Sequence, residues 1–370
     1  MKLTRYKLGD LIRQSDERNK DAFYSLKDVK GMSVQKVFIE TKADMENVSL
    51  KPYKLVRKNY FSYVTVTSRN SDKITLALNK SDDTYIVSSS YIVFYIKRPE
   101  LLSSEYLFIY FNRPEFDRYT RFNSWGSARE TFDWDEMCSI DIDLPSIEIQ
   151  KKYVAIYEGM VKNQQSYECG LEDLKLVCDA YIENLRKTIV PEEIGPYIEE
   201  INIRNINNMQ NIQGVESESA FCETRANTIG LNISNYKVVK KDQFAYNPSR
   251  INLGSIALRT KDVCVVSPMY IVFEVKSKDK LISEFLMIWF GRREFQRSTL
   301  FYATGSVRDT FDFNLMREIK VPIPEIKIQQ SIANIYKVYK KRKEINEQLK
   351  KQIKDICPIL IKGSIEEAKK

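Results

Sequence analysis

The chain has 370 residues, of which 43% are hydrophobic and 12% aromatic, so it is long enough to bury the cores of two or more domains. Lys and Arg outnumber Asp and Glu by 58 to 50, and the resulting charge of +8 fits an acidic partner such as nucleic acid, although many proteins without one are as basic. This composition excludes a disordered chain, and the absence of histidine excludes any zinc site that uses it.

The six cysteines form no Cys-x-x-Cys pair, which argues against a disulfide framework in a chain of this size. The N-terminal residues contain no apolar signal segment, and no apolar run reaches membrane-spanning length. We therefore expect a reduced, cytoplasmic setting without a membrane partner.

Residues 1–146 are predicted to form a mixed α+β domain. Short segments rich in β-branched and aromatic residues come first, at 36–41, 53–56, 61–67, 74–78 and 85–96. Helical spacing follows at 103–111, where Ser103 lies at the cap position, and at 114–120. Residues 122–127 are predicted to form a loop.

A long helix is predicted from 147 to 190, because apolar residues recur there in alternating steps of four and three. Its apolar seam consists of Ile149, Tyr153, Ile156, Met160, Tyr167, Leu171, Leu174, Cys178, Tyr181 and Leu185. Polar residues, among them Asn163 and Gln164, interrupt its middle. A helix of about 40 residues would be roughly 60 Å long, so it needs a second long helix to pack against.

The chain then repeats itself. Tyr91-Ile-Val-Phe returns as Tyr270-Ile-Val-Phe, and from there to Gln150 and Gln329 the copies align without a gap, with identical residues at roughly half of the positions. The junction lies near 191–196, and 191–325 is predicted to form a second α+β domain of the same kind.

A second long helix is predicted at 326–362, with Arg342 and Asn346 interrupting its apolar seam, before a tail at 363–370. Pro358 lies within this range, and because a proline can end a helix, the extent of the helix beyond it is left open. We predict that the two long helices form an antiparallel coiled coil with a pseudo-twofold axis and carry the two domains at opposite ends. The alternative is an ordinary helical hairpin within a core.

Three short motifs are typical of enzymes, but none is complete. Asn247-Pro-Ser-Arg resembles the motif of adenine methyltransferases without its second proline and aromatic residue, and the Glu-Ile-Lys runs at 318 and 325 are frequent in such a charged chain. No phosphate-binding glycine loop is present. We therefore predict a non-catalytic chain with no catalytic residue, no metal site and no cofactor of its own.

A glycine-rich basic loop occurs once in each copy, at Gly126-Ser-Ala-Arg129 and at Gly305-Ser-Val-Arg308. Glycine allows the backbone to approach a phosphate, serine adds a short hydroxyl, and arginine reaches a phosphate or a guanine edge with two donors. The alternative is that each arginine caps a helix or pairs with Asp133 or Asp312.

Comparison of the copies divides the candidate DNA-binding residues into two sets. Residues shared by both copies cannot distinguish two base sequences, so they are expected to support the scaffold or contact phosphates. They are Tyr63 and Tyr246, Arg118 and Arg297, Ser127 and Ser306, and Arg129 and Arg308. Residues that differ between the copies are candidate base readers. The alternative is that they lie in surface loops that tolerate substitution. They are Thr65, Thr67, Arg69, Asn70, Lys73, Arg121 and Asn123 in the first copy, and Asn247, Ser249, Arg250 and Asn252 in the second.

Taken together, the chain resembles the specificity (S) subunit of type I restriction-modification systems along nearly its whole length. The resemblance is carried by the duplicated entries to the long helices, Leu-Pro-Ser-Ile-Glu-Ile-Gln150 and Ile-Pro-Glu-Ile-Lys-Ile-Gln329, by the two Gly-Ser-x-Arg loops, and by Tyr6-Lys-Leu-Gly-Asp-Leu-Ile. It implies two target recognition domains that each read one half of a split DNA sequence, separated by a coiled coil that sets the unread spacer.

The resemblance also implies partners. Two modification (methyltransferase) subunits would bind S-adenosylmethionine and methylate adenine, and restriction subunits would use ATP to translocate and cleave double-stranded DNA. The alternative from a different functional class is a two-headed scaffold that binds proteins or RNA. Affinity for duplex DNA favours the first hypothesis, and binding to single-stranded RNA favours the second.

Overall fold

The computed structural model describes residues 3–41, 43–67, 73–127, 129–217, 219–224, 230, 232–302 and 310–370. The chain divides into two compact units, of which the first comprises Met1–Tyr167 with Ile345–Lys370, and the second comprises Glu168–Glu344. Each unit combines a sheet-rich domain with parts of two long helices, so the predicted α+β class is confirmed.

The domain of the first unit alternates short strands with loops and then becomes helical. Its strands are β1 (Thr4–Lys7), β2 (Ile12–Ser15), β3 (Lys30–Met32), β4 (Phe38–Glu40), β5 (Lys54–Val56), β6 (Phe61–Tyr63), β7 (Leu76–Leu78), β8 (Tyr85–Val87), β9 (Ile92–Ile96) and β10 (Asp141–Leu144). Its helices are α1 (Ser104–Phe111), α2 (Pro114–Phe122) and α3 (Trp134–Cys138). The Ser103 hydroxyl caps α1 by accepting a hydrogen bond from the Tyr106 N–H at 3.1 Å.

An antiparallel sheet with strand order β2-β9-β6-β7 carries the core of this domain. Phe61 lies opposite Phe94 in the register, and their rings stack with centroids 4.9 Å apart. Phe111 of α1 packs edge-on against Phe61 at 5.7 Å. Because successive side chains of a strand point to opposite faces, this face of the sheet buries the aromatic residues against α1.

Two features of this domain differ from the sequence prediction. The segment 85–96 is two strands rather than one, because the Tyr91 N–H bonds to the Ser88 carbonyl at 3.0 Å and turns the chain between β8 and β9. The pairing of β1 with β10, in which Tyr6 lies opposite Ile142, was not predicted, since residues so far apart in sequence leave no local pattern.

The second unit has the corresponding elements. Its strands are β11 (Glu192–Glu193), β12 (Ile198–Ile201), β13 (Gln213–Val215), β14 (Phe221–Glu223), β15 (Lys237–Val239), β16 (Gln243–Tyr246), β17 (Ile256–Leu258), β18 (Cys264–Val266), β19 (Ile271–Val275) and β20 (Lys320–Val321). Its helices are α5 (Ser283–Phe290), α6 (Arg293–Tyr302) and α7 (Phe313–Arg317). The four-stranded sheet, β12-β19-β16-β17, has the same order as that of the first unit, and Phe244 stacks on Phe273 at 4.7 Å.

The two long helices are α4 (Ile147–Thr188) and α8 (Ile326–Lys369). The prediction that α8 ends at 362 before a tail was wrong, because the helix extends to Lys369, and Pro358 lies inside it without ending it. Around this proline, Cys357, Leu360 and Ile361 are buried in the core of the first unit, and this packing offsets the cost of a proline in a helix, about 3 kcal/mol. Among the described helices, none is long and apolar enough to cross a membrane.

Within the first unit, the parts of α4 and α8 run antiparallel. Lys152 forms an ion pair with Glu367 at 2.8 Å, whereas further along α4 the buried Gln164 amide donates to Asn346 at 2.9 Å. Residue numbers thus rise along α4 as they fall along α8. A buried amide pair of this kind fixes the register of two helices.

The predicted apolar seam of α4 is displaced by one residue near both of its ends. Ile156 and Tyr181 are exposed, whereas their neighbours Tyr157 and Ile182 are buried in the cores of the first and second units, respectively. The reason is that each end of α4 packs on a domain as well as on α8, and the heptad pattern predicts only the helix contact.

A buried glutamine ties each long helix to the domain that precedes it. The Gln150 side chain accepts from the Ser103 N–H at 3.0 Å and donates to the carbonyls of Leu101 at 2.7 Å and Pro145 at 2.9 Å. Gln329 makes the equivalent three bonds in the second unit, to Ile282, Lys280 and Pro324, at 2.7–2.9 Å. These bonds fix the direction in which each long helix leaves its domain.

Replacing Gln150 with alanine is expected to lower the free energy of unfolding of the first unit by about 2 kcal/mol, because three buried backbone groups lose this partner. Urea denaturation measures the loss, and hydrogen exchange should show reduced protection of the Ser103 amide. Gln165→Ala, at an exposed position of the same helix, is the matched control and should change neither. Full protection of the Ser103 amide in the Gln150 variant would contradict the assignment.

Candidate nucleic-acid interface

The basic loop of the first copy lies within residues 123–131, between α2 and α3. Its two ends are joined by backbone hydrogen bonds between Trp125 and Thr131, at 3.1 Å and 2.9 Å. Ser127 and Arg129 lie at the tip of this loop and are exposed. The pairing of its ends therefore presents a short hydroxyl and a guanidinium to solvent on a closed loop.

Gly126 is required by the shape of this loop. Its φ is +139°, a conformation that other residues rarely adopt, and a Cβ added at this position would lie 2.2 Å from the Arg129 carbonyl oxygen. We predicted that glycine at this position allows the backbone to approach a phosphate closely. The structure supplies a different reason, since the backbone of this loop approaches itself.

The loop is held against the chain that follows β6. The Glu130 carbonyl accepts from the Thr67 N–H at 3.0 Å and from its hydroxyl at 3.2 Å, and the Phe132 N–H donates to the Thr65 carbonyl at 2.9 Å. Thr67 is buried, so the prediction that it reads a base was wrong: its hydroxyl anchors the loop instead. Thr65 is half-buried beside it.

Three further candidates of the first copy lie on or beside α2. Arg118 is exposed and lies 3.5 Å from Glu115, and Arg121 is exposed and ion-paired with Glu130, which raises the pKa of Arg121. Asn123 is half-buried and donates to the Tyr119 carbonyl at 3.0 Å. Both guanidinium groups remain accessible, because exposed ion pairs are weak and exchange readily for a phosphate.

Helix α2 is itself anchored by a buried ion pair. The Lys36 ammonium lies 2.6 Å from Asp117, and both side chains are largely buried. Burial lowers the pKa of Lys36, and the Asp117 carboxylate opposes that shift. Asp117 also accepts from the N–H of Ile74, at 3.3 Å, which places the exposed Lys73 beside α2. The structure thus brings together candidates from two distant segments.

The aspartates named as alternative partners of the loop arginines have another role. The Asp133 carboxylate caps α3 by accepting from the Glu136 N–H at 3.0 Å. Asp312 caps α7 in the same way, through the Leu315 N–H at 3.0 Å. The two aspartates therefore cap α3 and α7.

Two of the shared candidates cannot contact DNA. Tyr63 and Tyr246 lie in the central sheets and are completely buried, so the prediction of a phosphate contact was wrong and the scaffold alternative applies. Burial raises the pKa of both phenols far above the ordinary value. Their aromatic rings fill the same place in the two cores.

In the second copy, Asn247 closes a turn rather than reading a base. Its side-chain oxygen accepts from the Ser249 N–H at 3.0 Å, its own N–H donates to the Ser255 carbonyl at 3.0 Å, and the residue is buried. The prediction for Asn247 was therefore wrong. The turn it closes orients the next residues, of which Arg250 is exposed and Ser249 half-buried.

The turn leads into a short helical segment, Ile251–Leu253, that packs against α6. A Cβ added at Gly254 would lie 2.9 Å from the Gln296 side chain, which shows how closely the two elements meet. Asn252 is half-buried here, and Arg297 is exposed on α6. The structure thus brings Arg250, Asn252 and Arg297 to neighbouring elements of one unit.

Arg69, Asn70, Ser306 and Arg308 lie outside the described residues.

The model of a protein family described as the type I restriction modification DNA specificity domain matches residues 200–355, which span most of the second copy and part of α8. This part of the chain is therefore similar to the type I DNA specificity domain.

One solved structure shares this fold at low sequence identity. The crystal structure of the S subunit of a type I restriction-modification system from M. genitalium is 11% identical, with a TM-score of 0.65 over 98% of this chain and 96% of that one. The HsdS subunit from Thermoanaerobacter tengcongensis is 13% identical, with a TM-score of 0.39 over 98% and 96%. A structure of a type I restriction-modification complex matches with 13% identity and a TM-score of 0.47, over 97% of each chain. No curated protein matched the chain.

Four exposed aromatic side chains near these segments were not among the predicted site residues. Phe122 and Trp125 lie beside the loop of the first copy, and Phe301 and Tyr302 lie at the end of α6 in the second, all of them exposed. Aromatic residues are usually buried, so their side-chain type alone does not identify them as part of an interface. The signal that could have identified them is the repeat, since Phe122 and Phe301 occupy equivalent positions.

Proposed function

We propose that this chain is the DNA sequence-specificity subunit of a type I restriction-modification complex, and that each domain reads one half of a bipartite target. The observation that carries the proposal is that two domains of one fold present equivalent exposed arginines, Arg118 and Arg297, beside segments whose residues differ. Equivalent residues suit the uniform phosphate backbone, and different residues suit two different base sequences. The match of residues 200–355 to the specificity-domain family supports the same conclusion.

The residues that remain accessible have distinct roles in this proposal. Arg118, Arg297, Arg129 and Ser127 contact phosphates, and the side chains that differ between the copies read base edges. The base readers are Lys73, Arg121 and Asn123 in the first domain, and Ser249, Arg250 and Asn252 in the second. Arginine and asparagine are suited to this role because they make two hydrogen bonds to guanine and adenine, respectively.

The long helices set the distance between the two half-sites as a coiled coil that acts as a spacer. The chain itself is non-catalytic in this proposal. Two modification subunits bind S-adenosylmethionine and methylate adenine, and restriction subunits use ATP to translocate and cleave the DNA, all in the cytoplasm. The antiparallel contacts between α4 and α8 within the first unit support the spacer role, because paired helices are stiffer than single ones.

Mapping methylated adenines in a genome tests this function directly. Cells that carry the chain with its modification subunits are compared with cells that carry the modification subunits alone. The expected result is a set of methylated sites that share two short sequences separated by a gap of constant length and variable sequence. A single uninterrupted motif, or methylation that does not depend on the chain, would refute the proposal, and tight binding of single-stranded RNA by the purified chain would favour the scaffold alternative.

Replacing Arg129 with alanine is expected to weaken binding of the target duplex about tenfold, since one charge-assisted contact is lost. If Arg129 contacts a phosphate, unrelated duplexes lose affinity to the same extent and the salt dependence becomes shallower. If it reads guanine, one position of the methylated motif becomes degenerate instead. Arg98→Ala, at an exposed arginine of the turn before α1, is the control. No change in affinity or motif would remove Arg129 from the interface.

A further inference from the structure

Phe122 and Phe301 occupy equivalent positions in the two copies, and both are unusually exposed. Phe122 ends α2 with 77% of its surface accessible, and Phe301 lies one residue before the end of α6 with 84% accessible. The same helices bury their other phenylalanines, Phe116 and Phe295, in the cores. Each helix therefore has one phenylalanine directed into its domain and one directed out of it.

The residues around these two phenylalanines differ between the copies. Phe122 lies between Arg121 and Asn123, whereas Phe301 lies between Leu300 and Tyr302. A phenylalanine left in water forgoes the free energy of burying its ring, although a single exposed apolar residue is common. The same residue exposed at the same place in both copies, between neighbours that have diverged, indicates a function that both domains share.

An arginine accompanies each phenylalanine one helical turn earlier. Arg118 precedes Phe122 by four residues on α2, and Arg297 precedes Phe301 by four on α6, so each pair lies on one helix face. In the first unit, Trp125 and Arg129 of the loop that follows α2 are exposed as well, and in the second the Phe301 ring contacts that of Tyr302 at 5.4 Å. Both faces thus combine a protruding aromatic ring with positive charge.

We propose that Phe122 and Phe301 are wedges that insert between adjacent base pairs of the two DNA half-sites, while Arg118 and Arg297 hold the neighbouring phosphate. The inference rests on the proposed function and extends it to how the DNA is deformed. Apolar side chains inserted at a base step unstack and kink a duplex, and positive charge beside them offsets the repulsion of the backbone phosphates. Because both domains carry the same wedge, it can distinguish DNA sequences only through the free energy needed to deform a base step. Each half-site should therefore contain a flexible pyrimidine–purine step.

Fluorescence of 2-aminopurine tests the wedge in the complex of the full chain with its modification subunits. The base analogue is placed at successive positions of a duplex that carries the methylated motif, and its fluorescence rises where stacking is lost. The wild-type complex should raise it at one step in each half-site. Phe122→Ser should abolish the rise in one half-site only and weaken binding roughly tenfold, Phe301→Ser should do so in the other half-site, and Phe122→Leu should retain most of both effects.

Phe23→Ser is the matched control, because Phe23 is 83% exposed in the same unit but lies outside α2 and the loop that follows it. Unchanged fluorescence and affinity in Phe122→Ser would overturn the wedge, and so would a complex that no longer retains its modification subunits on gel filtration, since Phe122 would then contact protein. A wild-type complex that binds the duplex without unstacking it refutes the wedge alone. A wild-type complex with no affinity for any duplex refutes the proposed function and the wedge together.

Discussion

Replacing Gly126 with alanine is expected to weaken DNA binding by roughly a hundredfold while the first domain stays folded. The φ of +139° is strained for alanine, and its Cβ would lie 2.2 Å from the Arg129 carbonyl oxygen. The loop must therefore open, which displaces both Ser127 and Arg129. Titration of the target duplex with the purified complex measures the loss of affinity, and near-ultraviolet circular dichroism monitors the fold.

The same substitution elsewhere in the first unit provides the control. Gly159 lies in α4, and a Cβ added there meets no atom within 4 Å. Gly159→Ala should leave DNA affinity unchanged and should stabilise the helix by up to about 1 kcal/mol, because alanine is a better helix former than glycine. Wild-type affinity in the Gly126 variant would show that the shape of this loop does not matter for binding.

Lengthening both long helices by seven residues is expected to replace the methylated target with one that has a wider gap. Insertions between Tyr167 and Glu168 and between Glu344 and Ile345 fall at the boundaries of the two units, so the contacts within each unit are retained. Seven residues add about 10 Å of helix and preserve the heptad register. Since one base pair spans 3.4 Å, the gap should grow by about three base pairs.

The new target is determined by mapping methylated adenines in cells that carry the lengthened chain with its modification subunits. Both half-sites should be unchanged, and the original target should no longer be methylated. The same seven residues added after Lys370 should leave the target as it was. Altered half-sites, or an unaltered gap in the doubly lengthened chain, would show that the helices do not set the spacer.

The sequence predicts the class of the fold because its hydrophobic patterns are periodic and occur in both copies of the repeat. Strand and helix patterns, the serine at the start of α1 and the long heptad runs each reflect local physical preferences that survive in the folded chain. Packing against distant segments leaves no such pattern. This explains why the end of α8 was misplaced: Pro358 is a helix breaker in isolation, but it is surrounded by residues that the first core buries.

The candidate site was harder to predict because one side chain can serve several purposes. An asparagine that reads adenine and one that closes a turn have the same chemistry, and only the burial of Asn247 and its bonds to Ser249 distinguish them. Tyr63 and Tyr246 are shared by the copies because both cores need them. Gln150 and Gln329 were recognised only as part of the helix entries, since their role depends on backbone groups nearly 50 residues away.

An exchange of domains tests most directly the claim that each domain reads its own half of the target. Residues 1–146 are replaced by a second copy of 191–325, so that both long helices are preceded by the same domain and retain Gln150 and Gln329 at equivalent positions. Methylated adenines are then mapped in cells that carry this chimera with the modification subunits. We predict a target whose two halves form an inverted repeat about the gap, so that each domain reads the same bases on opposite strands. A target whose halves still differ would contradict the claim.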